Sequence, residues 1–191
     1  MLKTIGRSFM LLLILVIITG LAYPLLITGI SRLAFPHKST GSLLYDKEGN
    51  LIGSGLIGQD FETEKYFHSR PSAAGKQGYD PLKSGGSNYA AENEDFLALV
   101  SKRSDKFRQE NKLDGSIAIP SDMVTASASG LDPHISVAGA LLQVARIASV
   151  RNMDYQKVRI LVIENSGRQY GFLGEPVVNV LELNMLLDSL K

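Results

Sequence analysis

Between Ser8 and Ser31 no side chain carries a charge, and the run from Phe9 to Ile18 is apolar without interruption. It continues through Leu21, Leu25, Leu26, Ile27 and Ile30. At ~1.5 Å of rise per residue, ~20 such residues span the ~30 Å hydrocarbon core of a bilayer, so the stretch predicts one membrane crossing. A cleavable signal peptide is the competing reading, but it needs an apolar region of only about 7–15 residues followed by small ones. Here the run is longer and ends on Ser31-Arg32-Leu33-Ala34-Phe35-Pro36. A retained anchor in the lipid bilayer is therefore expected.

Gly20, Pro24 and Gly29 interrupt this segment. In lipid such breaks survive when a neighbouring helix satisfies the freed backbone, which makes these three residues candidates for membrane-helix packing. A lone anchor with a tolerated kink is the other reading, and both stay open. Lys3, Arg7 and the terminal amine precede the span, while Arg32, His37 and Lys38 follow it. A short tail followed by a long translocated domain predicts a cytoplasmic N-terminus and an extracytoplasmic domain. The expected organisation is a tail over 1–8, a transmembrane helix over 9–31, a linker over 32–41 and a globular domain over 42–191. In a bacterial cell that is a single-pass protein of the inner (plasma) membrane.

A chain of 191 residues has room for one ordinary domain beside the anchor. Lys3, Arg7 and Arg32 are the charged residues before Leu33, and with them set aside the 20 basic and 19 acidic residues leave the domain close to neutral. No basic stripe interleaved with aromatics points to nucleic acid. Without cysteine there is no disulfide, thiolate metal site, cysteine nucleophile or lipoprotein acylation site. His37, His68 and His134 alone support no zinc site.

Leu43 to Gly53 places a polar, Gly-containing turn between two apolar runs, a hairpin signal, and Gly55-Leu56-Ile57-Gly58 extends it as a strand close to other backbone. From Phe67 to Asn93 repeated Pro and Gly exclude a regular element, while Tyr66, Phe67, Tyr79, Leu82 and Tyr89 give an ordered loop something to bury. Asn93 caps a helix starting Glu94-Asp95 with Phe96, Leu97, Leu99, Val100 and Phe107 partly on one face. Asp132-Pro133 predicts a helix start, running to about Arg151 with Ile135, Ala138, Leu141, Leu142, Ala145 and Ala148 as its apolar stripe. Asp154 opens another helix with Val158, Leu161 and Val162, ended by Ser166-Gly167. A strand over Val177–Val180 and a short terminal helix with Leu183, Leu186, Leu187 and Leu190 complete a small α+β domain.

Three patterns invite a catalytic reading. Asp46-Lys47-Glu48-Gly49-Asn50 resembles the phosphorylated D-K-T-G-T segment of P-type ATPases, but both threonine positions differ and the segment sits at a hairpin tip, so it reads as a turn. Ser84-Gly85-Gly86-Ser87-Asn88 lacks the G-x-x-x-x-G-K-[ST] pattern of a phosphate-binding loop and reads as a rigid turn. Ser127, Ser129, Asp132 and His134 are the residue types of a hydrolase triad, yet no G-x-S-x-G elbow surrounds either serine.

Several long strings occur together. Ile119 to Ser136, reading I-P-S-D-M-V-T-A-S-A-S-G-L-D-P-H-I-S, is flanked upstream by Tyr79-Asp80-Pro81 with Ser84 to Asn88, and downstream by Gly174 to Asn184, G-E-P-V-V-N-V-L-E-L-N. This set resembles the C subunit of the Kdp potassium-transporting ATPase over nearly the whole chain. The resemblance implies an accessory, non-catalytic subunit of a high-affinity, ATP-driven potassium uptake complex. Its partners are a channel-like potassium-binding subunit and a P-type ATPase subunit that uses the ATP. It also implies a role in assembly and as a catalytic chaperone raising ATP affinity. ATP is cytoplasmic and the domain is expected outside, so such an effect is a coupling between conformational states rather than direct binding.

The docking surfaces are expected where the chain is polar and Gly-rich beyond what turns require: Tyr79, Asp80, Ser84, Gly85, Gly86, Ser87 and Asn88, with Thr125, Ser127, Ser129, Asp132 and His134. The rivals are a membrane-tethered serine hydrolase using Ser127 or Ser129, which a fluorophosphonate probe would label, and a free-standing tethered binding protein, which would purify alone.

Overall fold

The computed structural model describes residues 2–190. A continuous helix, Leu2–Ala34, is 33 residues long with a mean hydropathy of 2.7 in its most apolar window, none of it buried. It comprises α1 (Leu2–Ile17) and α2 (Tyr23–Ala34), joined by a π-helical segment over Ile18–Ala22. The cause lies next to it. Pro24 has no N–H to give the ladder, and Tyr23 donates five residues back, to the carbonyl of Ile18. The expected linker over 32–41 is largely helical: its first three residues finish α2, and a helical turn follows as α3 (Pro36–Ser39). Ser42 N donates to His37 O and Ser54 Oγ donates to Gly41 O, tying the first hairpin to α3 and the turn after it.

That hairpin pairs β1 (Leu43–Tyr45) with β2 (Leu51–Ser54). Asp46 closes its tip by accepting from the amides of Glu48 and Asn50 at 2.9 and 2.8 Å and from the Asn50 side chain at 2.9 Å. The Asn50 side-chain bond and the neighbouring amides hold the Asp46 carboxyl below its ordinary range. The residue expected as a turn former is one. The strand stops at Ser54, however, and Gly55 to Gly58 is irregular.

The domain then builds α4 (Glu94–Asn111), β3 (His134–Ser136), α5 (Val137–Arg151), α6 (Tyr155–Glu164), β4 (Gly167–Tyr170), β5 (Leu173–Asn179) and α7 (Val180–Ser189). β3, β5 and β4 form an antiparallel sheet in that order, with Ile135 opposite Val178. The caps at Asn93 and Asp154 are as expected, each accepting from the amide three residues on.

The expected helix start at Asp132-Pro133 is corrected. His134–Ser136 is a strand, and the N-cap of α5 is Ser136, whose Oγ accepts from Gly139 N at 3.0 Å. Pairing with β5 extends the chain for three more residues before the helix begins. The buried face of α5 matches the expected stripe only in part: Ala148 is buried and Leu141 and Leu142 pack at the core's margin, but Ala140, Gln143, Val144 and Ile147 also point inward, while Ala138 and Ala145 are exposed.

The core joins α5 to Phe67, Phe107, Ile135, Val158, Val162, Val178, Leu183 and Leu187. Polar groups are buried with it for a reason. Through 64–68 Tyr66 N donates to Thr63 O, but this irregular chain has no ladder for its other groups, and buried main-chain groups must find partners. Asn184 meets both groups of Phe67, accepting from N at 2.9 Å and donating to O at 3.0 Å. Gln143 does the same at His68. Arg146 donates to the carbonyls of Tyr66 and Glu64 and to Asn111.

Candidate partner-docking surface

The two polar strings lie against each other. Gly85 N and Ser84 Oγ donate to Ser129 O at 2.8 and 2.9 Å, and Ser72 Oγ donates to Gly130 O at 2.6 Å. Gly130 carries φ +67°, and a Cβ there would stand 2.6 Å from Gly85 O and 2.7 Å from Ala74 N. Only glycine fits this junction, because both neighbours are backbone. A Cβ on Gly86 would meet Ala128 O at 3.2 Å.

Most of the expected residues lie at this surface, but Ser127 is buried beneath it. Tyr79, at φ +53°, donates its hydroxyl to Arg70 O at 2.6 Å, and burial pushes its phenol up to about 12. Asp80 accepts from Leu82 N and pairs with Lys83 at 3.5 Å. Ser87 and Asn88 stand exposed at the tip. Thr125 donates to Ser121 O at 2.8 Å. Asp132 binds Arg70 at 2.9 Å while its other oxygen accepts from His134 N at 3.0 Å and lies 3.2 Å from His134 Nδ1. Burial alone would raise the Asp132 carboxyl, but its hydrogen bonds to His134 and the Arg70 guanidinium outweigh that and hold it low.

The hydrolase arrangement is not assembled. Ser127 and Ser129 face each other at 3.4 Å and Ser129 Oγ accepts from Leu131 N. Among the described residues no hydrogen bond joins either serine to His134, whose Nδ1 faces Asp132. In the membrane helix, an added Cβ at Gly20 or Gly29 would meet nothing within 4 Å, so both leave open notches in its surface.

A family model described as "K+-transporting ATPase, c chain" matches residues 5–189, which takes in both the membrane helix and this surface. The chain belongs to the KdpC family. It is 50% identical over 177 residues to the potassium-transporting ATPase KdpC subunit of Gemmatimonas aurantiaca, covering 92% of this chain and 87% of that one. The Mycobacterium tuberculosis subunit of the same name is 48% identical over 180 residues, 94% of each chain. That of Geobacter metallireducens is 46% identical over 187 residues, 97% of each.

In this KdpC-family chain the structure adds residues that the sequence reading does not find. Arg70 is the partner of Asp132, far away in sequence and without a motif of its own. Beside it opens a cleft of about 510 Å³ lined by Asp60, His68, Arg70, Tyr79, Arg103 and Glu110, among others. Burial and then Glu62 raise the Asp60 carboxyl, while burial and then Arg146 lower His68. Both basic and acidic groups line this cleft, and no spacing in the sequence announces it.

Proposed function

We propose that this chain is an accessory subunit of a potassium-transporting ATPase, held by one membrane span with its N-terminus in the cytoplasm and its domain on the extracytoplasmic face. The span covers 9–31, the linker 32–41 and the docking domain 42–191. The chain performs no chemistry of its own. It docks onto the channel-like potassium-binding subunit and stabilises the assembly with the P-type ATPase subunit. Any effect on ATP affinity passes through the partners' conformational equilibrium, since the nucleotide and the domain lie on opposite sides of the bilayer.

The observation that supports docking most directly is the sealing of the two polar loops to one another. Their backbones are mutually satisfied through Gly85 and Ser129, yet Ser84, Ser87, Asn88 and Ser129 remain at the surface. A rigid polar shelf is pre-organised for a partner and loses little entropy on binding.

Two fusions and one purification test the proposal. A reporter active only outside the cytoplasm, joined after Lys191, is expected to work, and a cytoplasm-only reporter to stay silent. Purification in gentle detergent is expected to bring down the potassium-binding and ATPase subunits together. Activity of the cytoplasmic reporter would reverse the topology, and a chain that migrates alone would overturn the docking role.

A further inference from the structure

We infer that the carbonyl of Thr19 is an acceptor reserved for a partner: a side-chain N–H or O–H donor on a transmembrane helix of another subunit. The inference rests on the proposed assembly and adds the chemistry of its contact inside the membrane.

In a regular α-helix Thr19 O would accept from the N–H of Tyr23, four residues on. That N–H donates instead to Ile18 O, closing the π segment. The next candidate, five residues on, is Pro24, which has no N–H. Neither ladder reaches the Thr19 carbonyl. The threonine hydroxyl is itself engaged, donating to Leu15 O at 2.8 Å. Thr19 lies midway between Phe9 and Ile30, near the centre of the hydrocarbon layer, where water is scarce and an unsatisfied carbonyl is costly. Gly20 follows it with open space where a Cβ would stand, so a partner helix can approach the carbonyl closely. A purely apolar neighbour would fill the notch and leave the acceptor empty. The partner's side chain therefore carries a donor.

Carbonyl chemical shifts in bilayers test this on the full chain. Threonine labelled with ¹³C at the carbonyl and glycine labelled with ¹⁵N give three linked pairs, Thr19-Gly20, Thr28-Gly29 and Thr40-Gly41. Thr28 sits in the regular turns of α2 and serves as the internal reference. In the chain alone the Thr19 signal is expected upfield, as for an unbonded carbonyl. In the purified complex with unlabelled partners it is expected to move downfield while Thr28 stays. A Thr19 signal already downfield in the dilute chain would mean water or a second copy supplies the donor, and would overturn the inference. So would an unmoved signal in a complex that co-purifies intact, which would leave the assembly standing. A chain that does not co-purify overturns the assembly reading, and the inference with it.

Pro24→Ala supplies the missing N–H from within. Its Thr19 signal is expected downfield without partners, and its co-purification about 3- to 30-fold weaker, the range of one interhelical hydrogen bond in a membrane. Unaltered co-purification of a variant whose Thr19 signal has moved downfield would count against the donor.

Discussion

The amide of Gly85 donates to the carbonyl of Ser129 at 2.8 Å, and this bond makes one surface of two loops that are separate in sequence. Gly130 is the hinge of the junction, at φ +67° with backbone on two sides. Gly130→Ala is expected to cost about 1–3 kcal/mol, the usual range for a side chain forced into a strained left-handed conformation. Urea unfolding of the full chain in detergent reads the loss. Stability within about 0.5 kcal/mol of the parent, the range of a neutral surface change, would mean the loops are not locked there.

The first turn of α5 depends on Ser136, not on Asp132. Ser136 Oγ accepts from Gly139 N and donates to Asp122 at 3.0 Å. Ser136→Ala is expected to cost about 0.5–2 kcal/mol through the lost cap. Amide exchange at Gly139 should quicken in that variant and stay unchanged in Asp132→Ala, whose loss falls on Arg70 and His134. The opposite pattern would return the cap to Asp132.

Asn184 holds both main-chain groups of Phe67, a residue with 0% of its surface exposed. Asn184→Leu keeps the volume and orphans a buried N–H and a buried C=O, each worth about 1–3 kcal/mol when left unpaired. The expected result is a chain that unfolds at much lower urea, with the largest rise in amide exchange at Phe67. A variant as stable as the parent would show that the loop has another partner.

How far the sequence could be read follows from how local each signal is. The long apolar N-terminal helix, the hairpin tip at Asp46 and the caps at Asn93 and Asp154 are set by neighbours within a few residues, and each was readable. Asp132-Pro133 carries the same local signature as a helix start, but cross-strand pairing of His134 with Asn179 extends the chain there and moves the cap to Ser136. The stripe read on α5 was only partly right, because its inward side also carries Gln143 and Arg146, polar residues recruited by a distant loop. The two polar strings were each legible as surface candidates. That they are one surface was not, since Gly85 meets Ser129 only in three dimensions, and Arg70 carries no signal at all until it is seen on Asp132.

Acid sensitivity separates two half-buried sites. Burial, then the charge of Arg146, holds His68 below its ordinary value, so the folded chain favours the neutral ring. That contribution is complete above pH ~6.5, the unperturbed histidine value, and is lost as pH falls toward the folded one. The depressed Asp132 carboxyl contributes stability that is present above pH ~3.9 and lost only below it. The urea midpoint is therefore expected to begin falling below about pH 6.5, and His68→Gln to abolish that first decline while leaving the steeper loss near pH 4. Parallel curves for parent and variant would assign the first decline to another group.

The docking of the joined loops is tested most directly by a single cysteine at their tip, because the chain has none of its own. Ser87→Cys places a thiol at an exposed position on the far edge of the Gly85–Ser129 junction. In the chain purified alone, a membrane-impermeant maleimide should label it fully. In the assembled complex the account predicts strong protection and, with a short bifunctional reagent, a cross-link to the potassium-binding subunit. Equal labelling with and without partners, in a complex that remains whole, would contradict it.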